Sequence, residues 1–487
     1  MIGESINDAP LAPSEVDTET FGSIPNTQNE KKCGCCKSFK CRRIIVFLVL
    51  GMTHNLVFFQ RAIPSVLSEM MASTYGVDVA QLGIFSSMFF YPYSFIQPFA
   101  GLLADVVEPG FLCTAATLAS ATGALICGLS KSLFVGCIGR LLVGFGSAPI
   151  YASACRCFAN WVNLKYYSRC VGAFIAFAGM GSFIAQGPFS ILANYMPWQY
   201  VFYLISMLGY LFAILIAVFV RGNPVKLGFS AVNNECAVDN TGISARAKMI
   251  QLWNNLKTVM SFGSFWWVAA YNFLSSGPFY TIQGMWGGPY LRDVLNFSVT
   301  LTGNVVMATS IGNLFGAVVM TQISELCPKL KKKWFIFIFT VISAVIIMPF
   351  IFINNMNPIL IFILFFIYAL SSNAVTNVAY PMVREYYHAS VSATAVGCIN
   401  FFPFAASAIF QVAIGGLIEY YKDGDTGKYT AEGYRNVMWI PTVVLAFIAS
   451  GCIGLAKDST DVNKEKTESL LLTSDYQSIG EKNELLS

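Results

Sequence analysis

Twelve apolar runs fix what this chain can become. At 1.5 Å per residue, a helix of about twenty residues crosses a hydrocarbon core of ~30 Å. The runs fall at 44–68, 80–104, 111–130, 133–157, 168–193, 198–220, 263–288, 299–323, 334–353, 358–382, 391–418 and 436–456. In lipid, every backbone polar group needs a partner within the protein, so isolated runs of this kind fold as helices. The chain is 55% hydrophobic and 11% charged, far from the balance of a soluble domain with a single anchor. Residues 1–30 are polar and acidic. No cleavable leader is expected there, and the first span inserts as an anchor.

Charge placement gives the orientation. With the N-terminus in the cytosol, six basic residues lie in the N-tail and thirteen in loops of the same side, against five in loops of the opposite side. That is a positive-inside bias, and it places both tails in the cytosol. Of the 30 basic residues, only Arg61 and Arg140 lie deep inside spans, since Arg156 and Arg169 fall at span ends. A cation at bilayer depth is costly, between ~3 and ~17 kcal/mol depending on the reference state, and is kept where it faces a wet cavity or a partner. Arg61 is therefore a candidate site residue, and its charge points to an anionic group.

Of fourteen cysteines, ten are scattered singly, which argues against a disulfide framework. Cys33, Cys35, Cys36 and Cys41 cluster among lysines before span one. S-palmitoylation, a metal site without histidine, or unmodified thiols are the readings open to them.

The chain divides into a tail (1–43), a six-helix bundle (44–221), an inter-bundle loop (222–262), a second six-helix bundle (263–456) and a C-terminal tail (457–487). The bundles repeat weakly. Gly172 precedes Gln186 by fourteen residues in span five, and Gly397 precedes Gln411 by fourteen in span eleven. Gly83 to Asp105 and Gly303 to Glu325 are each 22 residues. Arg61-Ala-Ile-Pro64 matches Trp286-Gly-Gly-Pro289 at the same offset as the first pair. Parallel repeats of this kind build some membrane carriers, with a site between halves at the midplane.

Five stretches carry a family resemblance. Gly101-Leu-Leu-Ala-Asp105 is similar to the Gly-x-x-x-Asp loop motif of the major facilitator superfamily, although Val106, Val107 and Glu108 stand where that family has basic residues. Arg140-Leu-Leu-Val-Gly144-Phe-Gly146 resembles its Arg-x-x-x-Gly-x-Gly pattern. Arg221 to Gly228, Trp286-Gly-Gly-Pro289 and Ala393 to Asn400 resemble the branch of organophosphate and organic-anion permeases. The resemblance implies an all-α membrane protein with twelve transmembrane helices in two pseudo-symmetric six-helix bundles. It also implies gradient-driven or facilitative movement of a small solute by alternating access, with spans one, four, seven and ten lining the cavity. Gly101, Asp105, Gly144 and Gly146 are then gating or packing residues.

On that basis, the substrate-binding candidates are Arg61, His54 and Asn55 of span one and Arg140 of span four. Span seven adds Tyr271, Asn272 and Gln283, with Tyr280 and Trp286 nearby; span ten adds Asn373 and Asn377, with Tyr380. His54 and Arg61 are seven apart, hence on one helical face, and a planar guanidinium binds a carboxylate bidentately. His54 changes charge near neutral pH and is a candidate for tuning the site. Organophosphate antiporters similarly pair arginines of spans one and seven. Span seven here has none, which favours a singly charged carboxylate over a phosphate ester. No acidic residue lies deep in a span, so uniport, exchange or His-linked symport remain.

No nucleotide cradle, zinc spacing or nucleophile elbow is present, so no enzyme, cofactor or metal is expected, and no nucleic acid. The C-tail carries Tyr476-Gln-Ser-Ile479 and Glu481-Lys-Asn-Glu-Leu485-Leu486. These resemble tyrosine-based and acidic dileucine sorting signals, which implies clathrin adaptors as partners and an endosomal or lysosomal membrane. Dipeptides, organic acids and sugar phosphates are the solutes considered, the first because lysosomal dipeptide carriers share the superfamily. A non-transporting solute sensor with the same fold is the other reading. Asn296-Phe-Ser298 is a glycosylation triplet on the side opposite the tails.

Overall fold

The computed structural model describes residues 39–230, 232, 244–327, 329–353 and 355–462. Span one is α1 (Phe39–Ala62) and α2 (Pro64–Tyr75). Next come α3 (Val79–Val106), α4 (Pro109–Leu129), α5 (Leu133–Ser147) with α6 (Ile150–Trp161), α7 (Leu164–Gln186) with α8 (Pro188–Leu192), and α9 (Trp198–Phe219). A connecting helix α10 (Ala245–Ser261) leads to α11 (Gly263–Thr281) and α12 (Gly287–Asp293). The second half continues with α13 (Val299–Leu326), α14 (Lys332–Ile347) with α15 (Pro349–Phe352), and α16 (Pro358–Ala369) with α17 (Thr376–Tyr386). It ends with α18 (Ala389–Ile418), α19 (Ala431–Tyr434) and α20 (Ile440–Leu455). Among the described residues, ten helical stretches are long and apolar enough to cross a membrane by length and composition. The helix α3 and the α11–α12 pair complete the twelve. An even number of crossings leaves residues 39 and 462 on one face, called here the terminal face.

Two sequence expectations are corrected. Span one does not end at residue 68 but runs to Tyr75, with a break at Ile63. The segment 222–262 is not all loop, because Ala245–Ser261 is helical. Ser244 caps that helix by accepting from the Ala247 N–H at 3.2 Å, and Leu252 and Val259 are buried. Lys248 Nζ donates to the Asp105 carbonyl of α3 at 2.9 Å.

Spans near the centre depart from regular helix in two ways. In the first half, proline interrupts them at Pro64, Pro149 and Pro188. In the second half, π-helical turns fall at Ile282–Trp286, Leu370–Ala374 and Arg435–Trp439. Each device frees backbone carbonyls or re-aims side chains, and each is frequent at functional positions.

The halves meet along two equivalent seams, α3 with α18 and α7 with α13. A Cβ on Gly83 would sit 2.6 Å from the Gln411 carbonyl oxygen, and one on Gly303 would overlap the Gln186 carbonyl oxygen. These are the four residues that the internal repeat pairs. Each seam widens toward the terminal face. Along α3 and α18, a Cβ on Gly415 would meet Ala80 O at 2.5 Å, one on Gly397 would meet Gln97 O at 3.0 Å, and one on Gly101 would meet nothing within 4 Å. Along α7, a Cβ on Gly179 would meet Leu314 at 3.0 Å, and one on Gly172 would meet nothing. The bundles therefore touch at one face and part at the other. Gly303→Leu should prop the tight end of its seam open. The melting temperature should fall by the equivalent of about 1–3 kcal/mol of overpacking, while Gly172→Leu should leave it unchanged.

Candidate functional site

Pro64 has no N–H to offer the Gln60 carbonyl four residues back, so α1 stops at Ala62. Arg140 of α5 supplies the missing donor, with Nη1 2.8 Å from Gln60 O. Its guanidinium is fully buried and lies over the Phe85 and Phe89 rings at 5.3 and 5.2 Å. Gly144 admits the Phe89 carbonyl, and Gly146 the backbone of Ala116 and Ser120, where a Cβ would collide. The Arg-x-x-x-Gly-x-Gly run thus packs α5 against α3 and α4 and braces span one. Arg140 spends Nη1 in that brace, its Nε and Nη2 are buried without a partner among the described residues, and it shares no ring with Arg61.

Arg61 stands in the last turn of α1, where the helix dipole favours a cation. Its side chain is 5% exposed. The guanidinium carbon lies 4.3 Å from the Phe58 ring centre, 4.7 Å from Tyr280 and 5.9 Å from Phe404. Aromatic faces stabilise a desolvated cation by about 2 kcal/mol or more but accept no in-plane hydrogen bond. Among the described residues, no carboxylate pairs with Arg61, and its Nε is buried without a partner. The donor edge of the guanidinium is unspent.

The surroundings combine rings and amides. Asn373, on the π turn of span ten, donates to the Tyr280 hydroxyl at 3.3 Å and to Asn313 Oδ1 at 2.7 Å, which fixes the phenol beside Arg61. Tyr93 packs edge-on against Phe404 at 4.8 Å. Phe58, Tyr151, Tyr280, Asn377 and Tyr380, from spans one, four, seven and ten, are only partly buried. They leave some accessible surface at the centre. Tyr380 donates to Asn400 Oδ1 at 3.0 Å, and Asn400 donates to Gln97 Oε1 at 2.8 Å, a polar chain from one half to the other.

The other candidates separate by environment. His54 and Arg61 both pack on Phe58, as their spacing requires, with His54 5.2 Å from that ring. His54 is 2% exposed and stacks on Phe174 at 5.0 Å, so it lies behind the Phe58 ring and not on the accessible surface. Asn55 donates to the Phe177 carbonyl at 3.0 Å, joining α1 to α7. Asn377 donates to Ala374 O within its own helix. Tyr271 is buried with its hydroxyl 3.3 Å from Thr376, and Asn272 folds back on Val268 O at 2.9 Å. Gln283 donates to Ser310 at 3.1 Å and, through its carbonyl, accepts from Gln186 at 3.0 Å. Tyr271 and Gln283 hold helices together in this conformation, whereas Asn272 bonds within its own helix and its Oδ1 is buried without a partner among the described residues. Asp105 pairs with Arg156 at 3.2 Å, so the loop acid has a cation even though Val106 and Val107 supply none. Gly101 is open. The candidates Tyr476, Ile479, Glu481, Leu485 and Leu486, and Cys33, Cys35 and Cys36, lie outside the described residues.

The face opposite the termini is closed by residues the sequence did not single out. Arg292, 3% exposed, donates to Val66 O at 3.0 Å, bonds Ser68 and lies 3.5 Å from Glu69. Gly288 fits against Ser65, whose carbonyl a Cβ would overlap. Lys422 pairs with Asp78, and that hydrogen bond holds the Lys422 ammonium above its ordinary pKa. Phe58 was findable as the ring one turn before Arg61. Phe404 and Arg292 carry no signal short of the tertiary contact.

A model of the Major Facilitator Superfamily matches residues 50–411, and the chain belongs to that superfamily of membrane transporters. Over 397 residues it is 22% identical to a probable sulfoacetate transporter of Cupriavidus necator, covering 80% of this chain and 89% of that one. It is 20% identical over 320 residues to a probable hexose phosphate transport protein of Chlamydia muridarum, covering 61% and 67%. Among solved structures, a bacterial homologue of the human lysosomal transporter Spinster, described as inward-facing and unoccupied, shares the fold. Its TM-score is 0.68 at 18% identity, with 87% and 98% of the two chains covered.

The brace can be tested by a double-mutant cycle. Ala at position 64 restores a backbone donor for Gln60 O. Arg140→Met should therefore lower thermal stability by about 1–3 kcal/mol more in the Pro64 protein than in Pro64→Ala, the cost of one orphaned buried acceptor. Equal effects in both backgrounds would remove Arg140 from the brace.

Proposed function

We propose that this chain carries a small organic anion across the membrane by alternating access, with Arg61 as the anchor for its charge. One observation supports this reading above the rest: among the described residues, Arg61 is the buried arginine that makes no hydrogen bond or ion pair. Arg140 spends Nη1 on the span-one break and keeps Nε and Nη2 buried without a partner among the described residues, and Arg292 serves the closed face. A single free guanidinium favours a monoanionic head, such as a carboxylate or sulfonate, over a doubly charged phosphate. Amides and phenols of spans seven and ten orient the remainder, with Asn373 acting through Tyr280. The two relatives named for sulfoacetate and hexose phosphate transport are consistent with an anionic solute. Organic acids and dipeptides fit the site best.

The parted ends of the seams support a state open toward the terminal face. The positive-inside bias assigns that face to the cytosol. The tail motifs favour an endosomal or lysosomal membrane, with clathrin adaptors as readers. With no carboxylate beside Arg61, uniport or exchange is preferred to proton coupling through an acid. His54, behind Phe58, acts on the site only indirectly.

In reconstituted vesicles, Arg61→Gln should abolish flux of its anion, at least 100-fold by the roughly 3 kcal/mol or more that a desolvated charge pair is worth. Folding and expression should be retained. Arg61→Lys should rescue little, because a lysine has neither the fork nor the flat face. Undiminished flux in Arg61→Gln would end this reading, and binding without flux in the native chain would favour a sensor. Separately, Leu485→Ala with Leu486→Ala should shift the protein to the cell surface by microscopy if the dileucine is read.

A further inference from the structure

A second crevice lies away from the central site, where the terminal-face ends of α1, α6 and α7 diverge. Higher in the membrane α1 and α7 are in contact, with Gly51 against Phe177 and Gly181 against the Asn55 carbonyl. Toward the terminal face they part and leave a groove of about 400 Å³. Its walls include Phe47, Leu48, Phe158 and Trp161, and its rim holds Arg43, Arg169 and Tyr166. Ile44 and Leu48, on the same face of α1, are 57% and 44% exposed. Apolar side chains this exposed on a spanning helix face lipid.

The rim is cationic and unbalanced. Among the described residues, no acidic one lines the groove. Arg43 lies over its neighbour Phe39 at 5.8 Å, and Arg169 is exposed. Neither arginine is in an ion pair among the described residues. An apolar slot at span depth, crowned by two guanidinium groups and a phenol at the span ends, matches one chemistry. That chemistry is an acyl chain carrying an anionic head.

We infer that this crevice is a binding site for an anionic phospholipid of the terminal-face leaflet. One acyl chain runs along Phe47, Leu48 and Phe158, and the head-group phosphate lies between Arg43 and Arg169. Basic pockets between spanning helices hold lipid head groups by this combination of charge and apolar wall. The volume falls in the range of about 300–1,000 Å³ usual for ligand clefts. The site is independent of Arg61 and of the solute.

The test uses the full chain in detergent, titrated with phosphatidylserine or phosphatidylcholine and read by native mass spectrometry and thermal shift. The native protein should prefer phosphatidylserine. Each basic residue near a membrane surface contributes roughly a fivefold preference, so Arg43→Gln with Arg169→Gln should weaken phosphatidylserine binding roughly 25- to 30-fold. Leu48→Trp, which fills the groove and keeps the charge, should weaken binding of both lipids. Preference that survives the double arginine change overturns the inference, as does equal binding of the two lipids by the native protein. A groove filled by a hydroxylamine-sensitive acyl group on a juxtamembrane cysteine also overturns it. If the double variant does not fold, the Leu48→Trp titration decides alone.

Discussion

A guanidinium held within a bilayer-spanning bundle without a counter-charge is the constraint around which this structure is arranged. Removing Arg61 from water costs several kcal/mol, and a nearby carboxylate would be the ordinary remedy. The protein uses aromatic faces instead. Phe58, Tyr280 and Phe404 stabilise the charge from the sides and leave its hydrogen-bonding capacity intact. A carboxylate would have occupied those donors; the rings do not. Tyr280 is in turn fixed by Asn373, so the π turn of span ten contributes to the same cage from the other half.

The cage is possible only because α1 stops where it does. Pro64 ends the helix at the residue after Arg61, and the carbonyl it strands is taken by Arg140. Two arginines in neighbouring spans thus have opposite uses. One spends a donor on backbone and is fixed; the other spends none. The difference is not one of residue type or depth. It is set by which arginine a broken helix supplies with an acceptor.

Part of this was legible in the sequence. The pairing of Gly83 with Gly303 and of Gln186 with Gln411 came from spacing alone, because a duplicated bundle repeats its close contacts at a fixed offset. Arg61 stood out because a lone charge in an apolar run is conspicuous. The role of Arg140 was hidden, since it depends on a carbonyl of another span that lies four residues before a proline. Arg292 was hidden by its position, for a charge at a span end reads as an ordinary loop residue until the fold buries it against Val66 and Ser68. The helix α10 was masked by its polarity: its buried residues, Leu252 and Val259, are too few to give an apolar run. The rings around Arg61 come from spans one, seven and eleven, and no local pattern links them.

The asymmetry of the seams bears on how the halves move. At the face opposite the termini, contacts are dry and close: backbone against glycine at Gly83, Gly288 and Gly303, and a buried arginine on carbonyl and hydroxyl groups. Toward the terminal face, the links are polar side chains: the chain of Tyr380, Asn400 and Gln97, partly open to solvent, and Lys248 and Asn255 of α10, which reach α3 and α18. Glycine contacts are lost abruptly with separation because dispersion falls off within about an ångström. Solvated amides exchange partners at little cost. Closing the terminal face therefore requires breaking the first set while the second reorganises. An anion held at Arg61, as proposed, would lie between the two sets and reach both halves through Arg61 and Tyr280, and would bias that exchange only through contacts that differ between the two states. A solute that met Arg61 alone would bind to one half and leave the balance between the faces unchanged.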